Sequence, residues 1–248
     1  MTTWPGDYDR LILDEVDSTN AEAARRAAAG VTRPTWITAR RQSAARGRQG
    51  RRWVMPEGNL AATLLTFPSY GAEEAGLRTF VAALAVADLF AALAVVDIRM
   101  KWPNDVMLRG GKGAGILLES ASKPSGLAWL AVGIGVNLVS VPDSVAPGTL
   151  PPTSVAGVGG MTVSPDEALA ILANAWDHWD RRLEEEGFEP IRATWLSRAA
   201  RMGEEIEVRL PARTLKGIFE DVDGTGALVL RTPTGVERIT AADVFFPG

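Results

Sequence analysis

The sequence contains no cysteine and only one histidine, His178, among its 248 residues. A chain without cysteine forms no disulfide framework and offers no thiolate ligands, and a single histidine excludes a metal centre built from several imidazoles. His178 falls in a segment with the pattern of an amphipathic helix, so we interpret it as a packing or surface residue. These absences fit a reducing compartment, and we expect a cytoplasmic protein.

The chain also lacks an excess of positive charge, a secretion signal and a long uncharged apolar run. Its formal net charge is −4, whereas a dedicated nucleic-acid-binding protein is usually basic. The N-terminus has no basic region followed by an apolar stretch. The most apolar segment, residues 79–96, contains only one charge, Asp88, and is rich in alanine, which favours a buried helix over a membrane span. We therefore expect neither nucleic acid nor a membrane as a partner.

Strand and helix patterns alternate through the first two hundred residues. Helices are predicted at 21–29, 79–96, 165–186 and 190–201, the first opened by Asp17 to Asn20 with a capping box between Thr19 and Glu22. Residues 141–162 are rich in Pro, Gly, Ser and Thr and are predicted to be a loop. Strands are predicted at 11–16, 36–40, 60–67, 98–102, 105–108, 114–120 and 127–136.

The pattern changes at Gly203, after which only short strand-like runs occur, with a turn at 223–226. We predict two domains: residues 1–202, an α+β (mixed α/β) domain with a mixed or antiparallel central sheet, and residues 203–248, a small all-β module.

The segment from Arg46 to Trp53 has the most informative composition, with four arginines and two glycines in eight residues. Glycines let backbone N–H groups approach an anion, and arginine side chains match phosphate and carboxylate oxygens. The same composition also occurs in solvated loops and nucleic-acid contacts. On an acidic chain it favours a small, highly anionic ligand such as a nucleotide. The glycines near Lys112 form neither a Walker A loop nor a dinucleotide-binding fingerprint.

Taken together, five ordered motifs resemble those of the biotin protein ligases. They are Asp17-Ser18-Thr19-Asn20, the run from Arg46 to Trp53 with Gln42 upstream, Lys101-Trp102-Pro103-Asn104-Asp105, Lys112 with Gly115-Ile116-Leu117-Leu118-Glu119, and Gly133-Ile134-Gly135-Val136-Asn137. The resemblance covers about residues 11–140, and the β-rich tail resembles the family's SH3-like C-terminal domain. It implies a class II synthetase-like biotin/lipoate ligase fold. It also implies a form without the N-terminal helix-turn-helix domain that some members carry, and hence no operator binding.

The resemblance further implies a two-step reaction and its participants. Biotin and ATP would give biotinyl-5′-AMP and pyrophosphate with Mg²⁺, and the biotinyl group would then pass to a lysine of a biotin carboxyl carrier domain of acetyl-CoA carboxylase or a related carboxylase. The chain would act as a monomer or weak homodimer.

Particular residues are expected to take particular roles in that reaction. Lys112 and Arg48 would be catalytic, and Asp105 would hold the metal ion. Biotin would contact Ser18, Thr19, Asn20, Gln42, Arg46, Gly47, Arg48, Lys112 and Gly115. The nucleotide would contact Arg48, Arg51, Trp53, Asn104, Lys112 and Asn137.

Three points stay open at the level of sequence. A lipoate- or octanoyl-adenylating ligase of the same fold is one alternative, and a nucleic-acid-binding or regulatory protein is another. Ala45 stands where the family usually has glycine, which would be strained if that position required a positive φ. The segment from Gln42 to Trp53 is expected to be mobile and to order over its ligand.

Overall fold

A computed structural model describes residues 3–124, 126–142 and 150–246, so part of the predicted loop, 143–149, lies outside the described residues. The first part of the chain forms β1 (Asp9–Val16), α1 (Thr19–Ala28), β2 (Thr35–Gln42), β3 (Leu60–Thr66), α2 (Ala72–Ala92), β4 (Ile98–Lys101), β5 (Asp105–Leu108), β6 (Gly111–Lys123) and β7 (Gly126–Val136). It continues with α3 (Pro165–Glu186), α4 (Phe188–Ser197), β8 (Glu205–Arg209), β9 (Thr214–Val222), β10 (Leu228–Thr232), β11 (Gly235–Ile239) and β12 (Asp243–Phe245).

The central sheet has seven strands in the order β1-β2-β3-β7-β6-β5-β4. Only β1 and β2 are parallel, and α1 forms the crossover that this arrangement requires. The other neighbours are antiparallel. The predicted mixed sheet is therefore confirmed.

The two faces of this sheet carry side chains of different size. Towards α2 and α3, strands β3, β7 and β6 present Leu60, Leu64, Val132, Ile134 and Ile116, all buried in the main hydrophobic core. Towards α1, one row of alternate positions is small across three strands, with Ala61 paired to Gly135 and Gly135 paired to Gly115. Because side chains alternate along a strand, one register gives a packed face and a face with space for a ligand.

Helix α2 is long and apolar enough to cross a membrane by length and composition, but it packs against the sheet and against α3 and α4. Most of its residues are buried, as the alanine-rich sequence predicts. It begins at Ala72, earlier than predicted, because Glu73 and Glu74 form a polar first turn that apolar periodicity does not detect.

The C-terminal segment forms a five-stranded antiparallel sheet in the order β11-β10-β9-β8-β12. The predicted small all-β module is confirmed, although β12 was not predicted. The module contacts the first sheet through Trp102, whose Nε1 donates to Gly226 O at 3.1 Å. Trp102 is buried in the main hydrophobic core.

The predicted capping box between Thr19 and Glu22 is wrong. Ser18 is the N-cap residue, it makes no side-chain capping hydrogen bond, and Thr19 is already helical. Glu22 instead pairs with Arg25 and Arg26, both at 2.8 Å. By contrast, Ser164 and Glu167 form a complete capping box at the start of α3, and Pro165 occupies the first position of the helix. The predicted bounds of α3 are confirmed.

Candidate active site

A cavity of about 850 Å³ opens on the α1 side of the central sheet, between the Arg/Gly loop (residues 45–53) and the C-terminal module. This volume is within the range of small-molecule sites. Every site residue predicted from the sequence lines it: Ser18, Thr19, Asn20, Gln42, Arg46, Gly47, Arg48, Arg51, Trp53, Asn104, Asp105, Lys112, Gly115 and Asn137. The fold thus brings together residues that lie far apart in the chain.

The floor of the cavity consists of the small residues on β3, β7 and β6. The ring of Trp53 lies on two of them, since a Cβ at Gly135 would be 2.8 Å from Trp53 Cε2 and one at Gly115 would be 3.2 Å from Trp53 Cζ3. Gly115 was predicted to contact biotin, and here it makes room for the indole of Trp53. Among the described residues, no acceptor satisfies the buried Trp53 Nε1.

A polar corner is formed by Thr19, Asn20, Gln42 and Thr63. Gln42 Oε1 accepts from Thr19 N at 2.8 Å, Thr63 Oγ1 donates to Asn20 Oδ1 at 2.6 Å, and the Thr19 and Thr63 hydroxyls are 2.8 Å apart. Because Gln42 uses its oxygen on the backbone of α1, its amide nitrogen is the atom it offers to a ligand. Thr63 was not predicted, since an isolated threonine in a strand carries no motif.

The Arg/Gly loop is a narrow hairpin with a tight turn at its tip. Gly47 N donates to Arg51 O at 2.7 Å and Trp53 N donates to Ala45 O at 3.0 Å. The left-handed residues of the tip are Gln49 and Gly50, with φ of 56° and 70°. Ala45 does not have positive φ, so its methyl group causes no backbone strain.

Three arginines of the loop point to different partners. Arg46 pairs with Glu119 on β6 at 3.1 Å, Arg51 pairs with Asp243 on β12 at 2.7 Å, and Arg48 Nη1 donates to Ala242 O at 3.2 Å. Burial lowers the pKa of Arg48 from its ordinary value because the charged guanidinium loses solvent. An anion beside Arg48 would offset that loss.

Lys112 and Asp105 form an ion pair inside the cavity, with Nζ and Oδ1 separated by 2.6 Å. The Lys112 ammonium also lies 5.3 Å from the centre of the Trp53 ring. The backbone of Lys112 is fixed from both sides, since its N donates to Pro151 O at 2.8 Å and its O accepts from Asn137 Nδ2 at 3.2 Å. Asn137 therefore positions this strand as well as lining the cavity.

Lys101 is a further cation of the cavity that sequence reasoning did not select. Burial lowers its pKa, and the neighbouring carboxylate of Asp105 opposes that shift. Lys101 belongs to the same motif as Asn104 and Asp105, so the motif itself contained the signal.

A metal ion has few protein ligands here. The described residues contain no group of three His, Cys, Asp or Glu side chains able to hold an ion. Asp105, the predicted metal ligand, already binds Lys112. The residues fit only a Mg²⁺ ion that substrate phosphates largely hold, with Asp105 as the predicted carboxylate ligand. Asp243, a second carboxylate of the cavity wall, is paired with Arg51.

Comparison with known proteins agrees with this geometry. Residues 13–137 match the biotin/lipoate A/B protein ligase family, and residues 202–246 match the biotin protein ligase C terminal domain. Over 241 residues the chain is 50% identical to biotin–[acetyl-CoA-carboxylase] ligase of Paracoccus denitrificans, which covers 96% of this chain and 100% of that protein. The chain belongs to the biotin protein ligase family.

Two further relatives are similar over most of this chain. A bifunctional ligase/repressor of Bacillus spizizenii is 30% identical, over 94% of this chain and 73% of its own. A structure of biotin protein ligase from Aquifex aeolicus in complex with biotin and ATP superposes with a TM-score of 0.80 at 26% identity, covering 95% of this chain and 97% of that chain. The predicted family, fold class and enzyme class are confirmed.

Four lining residues that the sequence did not predict come from the C-terminal module. The ligase places Asp243, Val244, Phe245 and Phe246 in the cavity wall. No local motif marks this tail, because its role depends on a contact between segments almost two hundred residues apart in the chain. Only the three-dimensional packing reveals it.

Proposed function

We propose that this chain activates biotin with ATP, forming biotinyl-5′-AMP and pyrophosphate, and then transfers the biotinyl group to a lysine of a biotin carboxyl carrier domain. The observation that carries the proposal is the single cavity in which the polar corner, Lys112 and the loop arginines face one another. Such a site can hold a polar ring at one end and a row of phosphates at the other.

In the first step, a carboxylate oxygen of biotin attacks the α-phosphorus of ATP, and the bond to the β-phosphate oxygen breaks. Both reactants are anionic, so the protein must hold them together against repulsion and stabilise the charge that develops. We assign this to Lys112, whose ammonium suits a moving point charge, and to Arg48. Arg51 lies on the pyrophosphate side, and Trp53, Asn104 and Asn137 contact the nucleotide.

At the biotin end, Ser18, Thr19, Asn20 and Gln42 bind the polar groups of the substrate, with Arg46, Gly47 and Gly115 closing over it. Ser18, Thr19 and Asn20 are buried, so an analogue that fails to pair with them pays a desolvation cost. Mg²⁺, when bound with ATP, neutralises phosphate charge, and Asp105 is the carboxylate placed to contact it.

In the second step, the acceptor lysine attacks the acyl carbon, AMP leaves and the amine loses a proton. We propose that the acceptor belongs to acetyl-CoA carboxylase or a related carboxylase, as the name of the Paracoccus relative suggests. We further propose that the enzyme acts in the cytoplasm as a monomer or weak homodimer, binding neither nucleic acid nor membrane, in keeping with its net charge of −4.

The test is exchange of labelled pyrophosphate into ATP with Mg²⁺, which reports the first step without an acceptor. We expect exchange with biotin and none with lipoate. Lys112→Ala should reduce exchange by about a hundredfold or more, as expected for loss of a group that stabilises developing charge. Lys216→Ala, which removes an exposed lysine of the β module, is the matched control and should leave the rate unchanged.

Exchange with lipoate alone would assign the chain to the lipoate branch of the family. Full exchange by Lys112→Ala would refute the role of this lysine. DNA binding by the chain without biotin, with strong dependence on salt, would instead support a regulatory protein.

A further inference from the structure

Glu119, on β6 beside the cavity, joins two segments that the proposed reaction uses separately. Its Oε2 accepts from Asn20 Nδ2 at 2.7 Å, and its Oε1 accepts from Arg46 Nη2 at 3.1 Å. Asn20 belongs to the polar corner and Arg46 to the Arg/Gly loop. One carboxylate therefore connects the first turn of α1 to the loop that lies over the cavity.

Asn20 is held in one orientation from three sides. Glu119 accepts a hydrogen bond from the Asn20 amide nitrogen, and Thr63 Oγ1 donates to the Asn20 amide oxygen at 2.6 Å. The third side is Gly133, where an added Cβ would be 2.2 Å from Asn20 Oδ1. A glycine is required there because the Asn20 amide occupies the space of a side chain.

This orientation determines the hydrogen-bond directions of Asn20 and Thr63 in the polar corner. An ionised carboxylate only accepts, so Asn20 must turn its nitrogen to Glu119 and its oxygen to Thr63. The single hydroxyl hydrogen of Thr63 is then used on Asn20 at 2.6 Å. The Thr19 hydroxyl lies 2.8 Å from Thr63 Oγ1 and 3.2 Å from Gln42 Oε1, and its one hydrogen serves one of these two oxygens. Gln42 Oε1 keeps its bond from Thr19 N, which leaves the Gln42 amide nitrogen for the ligand.

We propose that Glu119 is a positioning residue for the adenylation step. It fixes the directions of the hydrogen bonds of Asn20 and Thr63 in the polar corner, and it holds Arg46 at the biotin end of the cavity. This inference rests on the proposed function, because it assigns how that same site is kept ready for biotin. Glu119 touches neither substrate in this account and acts through Asn20 and Arg46.

Two substitutions separate the two tasks. Glu119→Gln keeps an oxygen that can accept from Asn20 but removes the charge that pairs with Arg46, whereas Glu119→Ala removes both contacts. From the cost of leaving a buried donor unpaired, we expect KM for biotin in pyrophosphate exchange to rise roughly 10- to 100-fold in Glu119→Ala and by about two- to fivefold in Glu119→Gln. KM for ATP should stay within about twofold, because the phosphate-side arginines have other partners.

The matched control is Glu237→Gln. Glu237 pairs with Arg213 at 3.1 Å with its side chain 33% exposed, and Glu119 pairs with Arg46 at 3.1 Å with its side chain 30% exposed. The control should leave both KM values unchanged. Thermal unfolding of each variant checks that it folds. If Glu119→Ala fails to fold, the KM values of Glu119→Gln still test the proposal.

A purely structural role would raise both KM values together or lower only the amount of folded enzyme, and either result would overturn the proposal. Unchanged KM for biotin in both variants would overturn it as well. These outcomes differ from failure of the proposed function, since in that case the unsubstituted enzyme would show no biotin-dependent exchange.

Discussion

At the scale of single residues, the site depends on the absence of side chains as much as on charged groups. Ala61, Gly135 and Gly115 form one row across β3, β7 and β6, and Asp105 continues that row onto β5. The first three leave space, and Asp105 supplies the partner of Lys112 at 2.6 Å. A single register therefore sets both the depth of the cavity and the position of its central ion pair.

Gly135→Ala tests this use of space. The new methyl carbon would lie 2.8 Å from the Trp53 ring, so the ring must move or the strand must shift. We expect the free energy of unfolding to fall by about 1–3 kcal/mol, as in other overpacked sites, and the rate of exchange to fall with it. Urea denaturation and the exchange assay measure the two effects. Gly224→Ala, where nothing lies within 4 Å, is the control, and exchange at the normal rate in Gly135→Ala would show that the position of Trp53 is unimportant.

At the scale of elements, the Arg/Gly loop is anchored on both the central sheet and the C-terminal sheet. Arg46 binds β6, whereas Arg48 and Arg51 bind Ala242 and Asp243 at the start of β12. The short strand β12 thus holds the loop at Arg51, on the side that we propose for the phosphates, and β6 holds it at Arg46, at the proposed biotin end.

Asp243→Asn should affect the two substrates differently. Loss of the ion pair frees Arg51 and loosens the phosphate side of the loop, so we expect KM for ATP to rise about two- to fivefold, in line with the small energy of a partly exposed pair. KM for biotin should not change. Asp221→Asn, which removes a carboxylate of the same module that pairs with Arg192 on α4, should change neither value. A larger rise in KM for biotin than in KM for ATP in Asp243→Asn would contradict the proposed separation of the two ends of the loop.

Sequence patterns predicted the bounds of a helix or strand correctly where residues next to each other in the chain determine them. The bounds of α3 follow from Ser164, Pro165 and Glu167, which act within one turn. The helix start at α1 was misjudged because Glu22 has two arginines within reach and takes those instead. Strand β12 has three residues and no periodicity to detect, since its partner β8 is more than thirty residues away in the chain.

The residues of the candidate site were predicted from motifs, but their partners were not. Motif resemblance named Arg46, Arg51 and Asn20 without indicating that Glu119, Asp243 and Thr63 would bind them. Such pairings depend on strand register and domain packing, which a single sequence does not encode in any local pattern.

At the scale of the whole molecule, a buried arginine joins α2 to α3 behind the sheet. Arg78, whose side chain is 1% exposed, pairs with Asp180 at 3.0 Å and stacks on Tyr70 at 3.8 Å from the ring centre. Burial raises the pKa of Asp180 to about 6, with Arg78 opposing the shift and Glu184 and Asp177 adding to it. The core thus contains a carboxyl group whose ionisation is costly in the folded protein.

The folded-state pKa of Asp180 lies above the ordinary aspartate value of about 4, so folding favours the protonated form. The contribution of Asp180 to stability is fully present below about pH 4 and is lost as the pH rises through about 6. Relative to Asp180→Asn, the free energy of unfolding of the unsubstituted protein should therefore fall by about 1–2 kcal/mol between pH 5 and pH 7.

Urea denaturation of both proteins at several pH values measures that difference. Asp14→Asn, at a carboxylate that is 91% exposed, is the control and should show no such pH dependence relative to the unsubstituted protein. If the difference in free energy of unfolding between the unsubstituted protein and Asp180→Asn stayed constant from pH 5 to pH 7, the expected effect of burial would be contradicted.

The position of β12 in the chain also gives the site an order of assembly during synthesis. The residues of the polar corner leave the ribosome early, followed by the strands that form the cavity floor, and Asp243 leaves among the last. A nascent chain can therefore shape the end of the pocket for the polar ring before it has the strand that anchors Arg51. The anchor of Arg51, and with it the full proposed affinity for ATP, is then added only once β12 has been made.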